Sequence, residues 1–142
     1  MTDIGGIKII SDCYNASPES MRAAAAVLST VASHRSGKKV ALLGDMLELG
    51  KNSPALHYAV GECFADAGVD FLVSFGERAE MIANGFADKR GEDKVLRFSD
   101  RSDAVAPAKA LAQILSEGDV LILKASRMIA AERVADELKK LL

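Results

Sequence analysis

The fold is decided by the stretch Ile7–Met21, which reads IKIISDCYNASPESM. It begins with a short apolar run, Ile7–Ile10, and ends in a helix signal, because Ser17 can cap a first turn and Pro18 suits its first position. An aspartate, a tyrosine and an asparagine lie between the run and the helix signal. Since ligands bind outside the carboxyl ends of the strands in open α/β sheets, this strand-to-helix junction is a candidate site.

The strand-then-helix unit repeats along the chain. Short apolar or β-branched runs have the length and composition of strands buried on both faces, and helical patterns separate them. The alternation predicts a three-layer α/β/α sandwich with a mostly parallel, Rossmann-like sheet. The further strands are predicted at Val40–Leu43, Phe71–Phe75, Val95–Phe98 and Val120–Leu123, and the further helices at Ser53–Ala67, about Glu77 to Ala87, Ser102 to Ser116 around an irregular Pro107, and Met128 to Leu141.

Length and composition favour a single globular domain over residues 1–142. Hydrophobic residues make up 49% and charged residues 27%, and the net charge of −2 argues against a nucleic-acid partner. No apolar run approaches the length of a membrane span, and the first residues lack the pattern of a signal peptide. Cys13 and Cys63 fit neither a disulfide framework nor a metal site, so reduced thiols and a cytoplasmic location are expected.

The sequence motifs of several complete active sites are missing. The chain has no G-x-x-x-x-G-K-[ST] loop to hold a triphosphate and no G-x-G-x-x-G dinucleotide motif. It also has no H-E-x-x-H, no G-x-S-x-G and no cysteine cluster, and no metal site is expected. We therefore expect no complete active site in this chain.

Asp12, Tyr14 and Asn15 are the candidate binding residues of the first junction. The Asp12 carboxylate can accept hydrogen bonds from ribose hydroxyls, or it can form a turn with its own backbone. The Asn15 amide can pair with an adenine edge, or the residue can occupy a left-handed turn. Tyr14 can stack on a base or cover the start of the helix. Residue type and spacing leave these alternatives open.

The loop after the second predicted strand carries another set of polar residues. Asp45 and Glu48 lie in this loop, where two carboxylates can bind a cation or an amine, or remain a solvated pair. His57 lies early in the next helix and faces either the crevice or the solvent.

Lys124, Ser126 and Arg127 follow the last predicted strand. Lysine and arginine beside a helix N-terminus suit a carboxylate or a phosphate, although an ordinary helix start with surface cations has the same pattern. Because the carboxyl ends of parallel strands open on one edge of a sheet, we expect Asp12, Asp45 and Lys124 to line one crevice.

Four blocks of the sequence together resemble the C-terminal domain of the Mur ligases, the cytoplasmic enzymes of peptidoglycan precursor synthesis. The family pattern D-[SC]-Y-N-A-N-P-x-S-M is matched by Asp12–Met21, and L-G-D-M-x-E-L-G is matched by Leu43–Gly50. The pattern S-x-x-x-H-x-x-V-G is matched by Ser53–Gly61, and K-G-S-R is matched by Lys124–Arg127. The blocks keep their order and spacing across nearly the whole chain.

Two residues depart from the family pattern. Ser17 replaces the second asparagine of the first block, but serine still caps a helix. Ala125 replaces the glycine of K-G-S-R, and because alanine disfavours a positive φ, we expect it to tighten or re-aim that loop.

The resemblance implies an ATP-dependent ligase that adds D-alanyl-D-alanine to UDP-N-acetylmuramoyl-tripeptide through an acyl-phosphate intermediate. ATP and Mg²⁺ are the implied cofactors, with the phosphate and metal sites in a central domain and the UDP-sugar site in an N-terminal domain, both of which lie outside this chain. The resemblance further implies that Asp12 holds the ATP ribose and that Asn15, with Tyr14 beside it, lies against the adenine.

The resemblance covers only the third domain of such a ligase. We therefore expect the isolated chain to be inactive, with the central domain as its partner and domain closure assembling the site. In that arrangement Lys124, Ser126 and Arg127 lie near the incoming dipeptide or the closing interface. Asp45 helps to shape the same crevice, and His57 and Glu48 are possible further contacts, so this loop belongs to the implied site.

Three other interpretations stay open: a phosphoacceptor receiver domain, a stand-alone nucleotide-binding or interaction module, and a purely structural domain. A receiver domain needs an acidic pair after the first strand and an aspartate at the end of the third. Here the third strand ends in Ser74-Phe75-Gly76, and Asp12 has no acidic neighbour. A stand-alone module would bind adenylate weakly, with no catalytic domain in its gene.

Overall fold

A computed structural model describes the backbone of residues 1–142 and every side chain except that of Met128. The chain alternates between strands and helices, with three short 3-10 turns at Gly50–Asn52, Glu92–Lys94 and Arg127–Ile129. The strands are β1 (Thr2–Ile4), β2 (Ile7–Asp12), β3 (Lys39–Gly44), β4 (Phe71–Phe75), β5 (Val95–Phe98) and β6 (Val120–Lys124), and the helices are α1 (Pro18–Ala32), α2 (Ser53–Asp66), α3 (Glu80–Arg90), α4 (Val105–Ile114) and α5 (Glu132–Leu141).

The sheet confirms the three-layer α/β/α architecture that the sequence predicted. Its spatial order is β1-β2-β6-β3-β4-β5, and every neighbouring pair from β2 onward is parallel. Helices α1, α2 and α3 cover one face of the sheet, and α4 and α5 cover the other. On β3, Leu43 packs into the core beneath α1, α2 and α3, and Leu42 packs into the core beneath α4 and α5. A continuous apolar run therefore supplies core residues to both faces of the sheet.

The sequence analysis missed one strand, β1, which pairs antiparallel with β2 at the edge of the sheet. Thr2 opposes Ile9 and Ile4 opposes Ile7, across a turn in which Gly5 and Gly6 have φ values of 59° and 79°. A two-residue turn with positive φ at both positions is typical of β-hairpins, so this glycine pair was the available signal.

Three helices begin later than predicted, each for a local reason. Helix α3 begins at Glu80, and the Ala79 amide donates instead to the Asp45 carboxylate. Helix α4 begins at Val105, where the Asp103 side chain accepts two first-turn amides. Pro107 therefore lies in the first turn, where its missing N–H costs no helical hydrogen bond. Helix α5 begins at Glu132 because Ala130, with φ of 59°, interrupts the preceding 3-10 turn.

The topology creates a crevice at the carboxyl edge of the sheet. Strand β6 lies between β2 and β3, and Lys124 at its end is in register with both Asp12 and Leu43. The chain leaves β2 and β3 toward helices on one face and leaves β6 toward α5 on the other face. Connections that diverge in this way leave a crevice between neighbouring strands, where ligands bind in such folds.

Candidate functional site

An ion pair at the centre of this edge joins two residues that the sequence analysis assigned to different ligands. The Lys124 side chain is only 2% exposed, and its Nζ donates to Asp12 Oδ2 at 2.6 Å. The same Nζ donates to the backbone carbonyl of Asn15 at 3.0 Å. In this structure the Lys124 ammonium group is therefore engaged by the end of β2 and the loop that follows it, and it is buried there.

The Asp12 carboxylate keeps one oxygen open. Its side chain is 50% exposed, and within the described residues only Oδ2 has a hydrogen-bond partner, the Lys124 ammonium. An anchored carboxylate with a free oxygen at the crevice mouth suits the acceptor role that ribose hydroxyls require. Of the alternatives that the sequence left open for Asp12, ligand binding fits this geometry.

Tyr14 and Asn15 lie on the same loop and are exposed. The Tyr14 ring is 74% exposed, and the Arg127 guanidinium carbon lies 5.6 Å from its centroid, within the range of a cation–π contact. This contact joins the loop after β2 to the loop after β6 a second time. The neighbouring Cys13 thiol is half-buried, which raises its pKa and keeps it protonated at neutral pH.

Asp45 is buried, which rules out the solvated pair with Glu48 that the sequence left open. It is only 2% exposed, and its Oδ1 accepts the Ala79 amide at 2.7 Å while its backbone carbonyl accepts the Ser126 amide at 3.1 Å. Burial raises the pKa of the Asp45 carboxyl, and the Ala79 hydrogen bond partly opposes this. Asp45 therefore connects three of the loops at the carboxyl edge, whereas Glu48 remains exposed.

His57 faces neither the crevice nor the solvent, the two places that the sequence analysis considered. It is fully buried, its Nε2 accepts the Met46 amide at 3.0 Å, and its Nδ1 donates to the Ser53 carbonyl at 2.7 Å. Burial lowers its pKa, so the ring is neutral near pH 7. His57 thus holds the loop after β3 in place and acts on any ligand only through that loop.

A cavity of about 460 Å³ opens beside Asp45 at the ends of β3, β4 and β5. It combines two guanidinium groups with carboxylates and hydroxyls, a mixture that suits a small zwitterion carrying an ammonium and a carboxylate. The sequence analysis named Asp45 but missed the other lining residues, which follow predicted strands and form no recognisable motif. Its lining consists of Asp45, Glu77, Arg78, Ser99, Asp100, Arg101 and Ser102.

The two departures from the family pattern are accommodated without strain. Ala125 is fully buried and does not adopt a positive φ, which among the described non-glycine residues only Glu48 and Ala130 do. Its methyl group packs over Gly44, where an added Cβ would lie 2.5 Å from that of Ala125. Ser17 caps α1 in a reciprocal arrangement with Ser20, so the expected cap is confirmed. The expected change in the course of the loop at Ala125 stays a prediction.

Neither a membrane-spanning helix nor a metal-binding cluster was found where the structure describes the chain. No described helix is both long and apolar enough to cross a bilayer. Likewise, the described side chains include no group of three or more His, Cys, Asp or Glu that could hold a metal ion.

Comparisons with known proteins agree on one family. The family model described as Mur ligase, glutamate ligase domain, matches residues 1–127. A UDP-N-acetylmuramoyl-tripeptide–D-alanyl-D-alanine ligase of Bacillus subtilis is 34% identical over 94% of this chain and 28% of its own length. The ligase of the same name from Escherichia coli is 34% identical over 93% of this chain and 27% of its length. The chain thus spans less than a third of these relatives.

Solved structures show the same similarity in three dimensions. The MurF ligase from Thermotoga maritima in complex with ADP matches with a TM-score of 0.80 and 32% identity, over 99% of this chain and 30% of that one. A MurF structure from Acinetobacter baumannii matches with a TM-score of 0.81 and 28% identity, over 98% of this chain and 29% of its own.

Proposed function

Because this chain belongs to the Mur ligase family, we propose that it is the C-terminal domain of a ligase that joins D-alanyl-D-alanine to UDP-N-acetylmuramoyl-tripeptide. The observation that carries the proposal is the 34% identity to ligases of that name over nearly the whole chain. The family membership that the four sequence blocks indicated is confirmed. Because the relatives are more than three times as long, N-terminal and central domains, and with them Mg²⁺ binding, are proposed for the rest of a longer cytoplasmic enzyme.

In this proposal the loop after β2 binds the adenosine part of ATP. Asp12 Oδ1 accepts a ribose hydroxyl, and Tyr14 and Asn15 lie beside the base. Support comes from the open oxygen of Asp12, the exposure of both neighbours, and the ADP bound in the similar Thermotoga maritima ligase. ATP supplies the phosphoryl group that activates the tripeptide carboxylate.

The dipeptide is proposed to approach through the cavity beside Asp45. Arg78 and Arg101 are exposed there and can receive its carboxylate, while the Asp45 carboxylate can orient its ammonium group. The Asp45 carbonyl also holds the Ser126 amide, so the cavity is continuous with the loop after β6. Closure of the domain over the tripeptide would bring these groups together and exclude water.

The proposal is tested by expressing the whole reading frame that contains this chain and measuring phosphate release with ATP, UDP-N-acetylmuramoyl-tripeptide and D-alanyl-D-alanine. We expect release to need all three, and Asp12→Asn to raise the KM for ATP several-fold while sparing the KM for the dipeptide. Arg78→Ala should raise the KM for the dipeptide instead. Arg90→Ala is the matched control, because Arg90 lies at the far end of α3 and pairs with Asp70 at 3.7 Å.

Two results would contradict the proposal. A reading frame without a G-x-x-x-x-G-K-[ST] motif would leave the triphosphate without its loop, and a stand-alone binding module would then be the better description. An unchanged KM for ATP in Asp12→Asn would remove the ribose assignment while leaving the family membership intact.

A further inference from the structure

Resting on the proposed nucleotide contact, we propose that Lys124 is a positioning residue for ATP, which holds the Asp12 carboxylate and the Asn15 backbone in the arrangement that receives the ribose. The sequence analysis had assigned Lys124 to the dipeptide or the closing interface. The structure directs its ammonium group to the nucleotide loop instead.

The burial of Lys124 argues for an internal role. Its side chain is 2% exposed at the end of the central strand β6, so it presents almost no surface to an incoming ligand. Its Nζ reaches two acceptors on one loop, the side chain of Asp12 at 2.6 Å and the carbonyl of Asn15 at 3.0 Å. One buried cation thus fixes both a side chain and the backbone of the proposed ribose-binding loop.

The Asp12 carboxylate depends on this cation for its orientation. Half of the Asp12 side chain is exposed, and no other described group donates a hydrogen bond to its oxygens. Without Lys124 the carboxylate would sample several rotamers, and ordering it on binding would then oppose association. A binding residue whose rotamer is already fixed by its neighbours loses less conformational entropy when the ligand binds. Lys124 fixes the Asp12 rotamer in this way.

The second contact between the same two loops cannot replace this anchor. Arg127 lies over the Tyr14 ring at 5.6 Å, and both side chains are exposed. This contact touches neither the Asp12 carboxylate nor the Asn15 carbonyl. Loss of Lys124 should therefore affect ribose recognition specifically, whereas a merely structural role would affect all ligands alike.

The test compares ADP with 2′,3′-dideoxy-ADP, which lacks the ribose hydroxyls. The chain, whose sheet is covered on both faces, is labelled with ¹⁵N, and each nucleotide is titrated into the millimolar range while the amides of residues 12–15 are followed. The ratio of the two Kd values isolates the hydroxyl contact, because phosphate and base interactions cancel. A hydrogen bond to a carboxylate predicts a preference for ADP of roughly tenfold in the unmodified chain.

Lys124→Met should lower this preference several-fold, toward equal binding of the two nucleotides. Lys124→Gln gives a second, neutral variant should the methionine variant not fold. Lys38→Met is the control, because Lys38 also forms a lysine–aspartate ion pair, with buried Asp119 at 2.9 Å, but at the amino ends of the strands and with the lysine as the more exposed partner. The control should keep the preference unchanged.

The outcomes separate the inference from the function on which it rests. A preference in the unmodified chain that survives in a folded Lys124 variant would overturn the positioning role alone. Equal binding of both nucleotides by the unmodified chain would overturn the ribose contact of Asp12, and the role of Lys124 with it.

Discussion

Replacement of Asp12 by alanine should destabilise this domain much more than replacement of its partner Lys124 by methionine. Asp12→Ala leaves the ammonium group of Lys124, whose side chain is 2% exposed, with the Asn15 carbonyl as its only remaining acceptor among the described residues. Lys124→Met removes the buried charge and keeps a side chain of similar volume. The two variants break the same ion pair, but only the first leaves an uncompensated charge in the interior.

The expected magnitudes follow from the burial of each partner. Removal of one partner of a fully buried pair costs about 3–5 kcal/mol of unfolding free energy. Because the Asp12 side chain is 50% exposed, water can reach the vacated position, and we expect about 2–3 kcal/mol. For 142 residues this corresponds to a decrease in Tm of about 7–10 °C. Lys124→Met should change stability by no more than about 1 kcal/mol in either direction.

Urea unfolding followed by circular dichroism measures the four proteins of a double-mutant cycle, provided that their m values agree. The double variant should be nearly as stable as Lys124→Met alone, which gives a coupling of about 2 kcal/mol. Asp66→Ala provides a control, since its pair with Lys89 is exposed and should contribute no measurable stability. A Lys124→Met variant as unstable as Asp12→Ala, with additive losses, would refute the reasoning.

Two further predictions concern the helices that support the site. Gly61→Ala should lower the free energy of unfolding in urea by about 2–3 kcal/mol, because the added Cβ would lie 1.9 Å from the Ile82 carbonyl oxygen where α2 and α3 meet. Ala23→Gly, on the exposed face of α1, measures the separate effect of helix propensity. A Gly61→Ala variant as stable as the unmodified chain would contradict this close packing. Burial lowers the pKa of His57 below its ordinary 6.5, so the unfolded chain takes up the proton first and stability should fall as pH decreases from 7 through 6.5. His57→Gln should make the Tm from thermal unfolding less dependent on pH over this range. Asp45, whose pKa is raised, acts in the opposite sense, but it does so equally in the unmodified chain and in the variant. If the slope of Tm against pH is the same in both proteins, His57 is not the source of the pH dependence.

Much of the sheet was predictable from local sequence. Each apolar run became a parallel strand because a strand covered by helices on both faces needs apolar residues at successive positions. Strand β1 was not predicted because Thr2–Ile4 is short and mixed in polarity, and because its pairing with β2 depends on the Gly5–Gly6 turn. Helices α3 and α4 begin later than predicted where the Asp45 and Asp103 carboxylates accept hydrogen bonds from backbone amides near the helix start. Such hydrogen bonds cannot be read from helical periodicity in the sequence.

The site was predictable in its location but only partly in its contacts. Parallel strands end on one edge, so the placement of Asp12, Asp45 and Lys124 at that edge followed from the order of strands along the chain. The single crevice expected for them is not observed, because Lys124 is buried and the cavity beside Asp45 is lined by neither Asp12 nor Lys124. The Lys124–Asp12 bond could not be predicted, since it joins residues 112 positions apart and depends on β6 entering the sheet beside β2. Asp45 illustrates the same limit, because its burial depends on the approach of Ala79 and Ser126 from other loops.

The sequence by itself determined the strand–helix alternation, the family and the residues placed at the carboxyl edge, because each depends on composition or spacing within short segments. Only the tertiary structure decided which of those residues are exposed at that edge and which are buried against other residues. Lys124 and Asp12 are each the last residue of a strand, yet one is buried and the other is half exposed. The difference arises because β6 lies in the middle of the sheet, so its side chains are enclosed by neighbours that the local sequence does not identify.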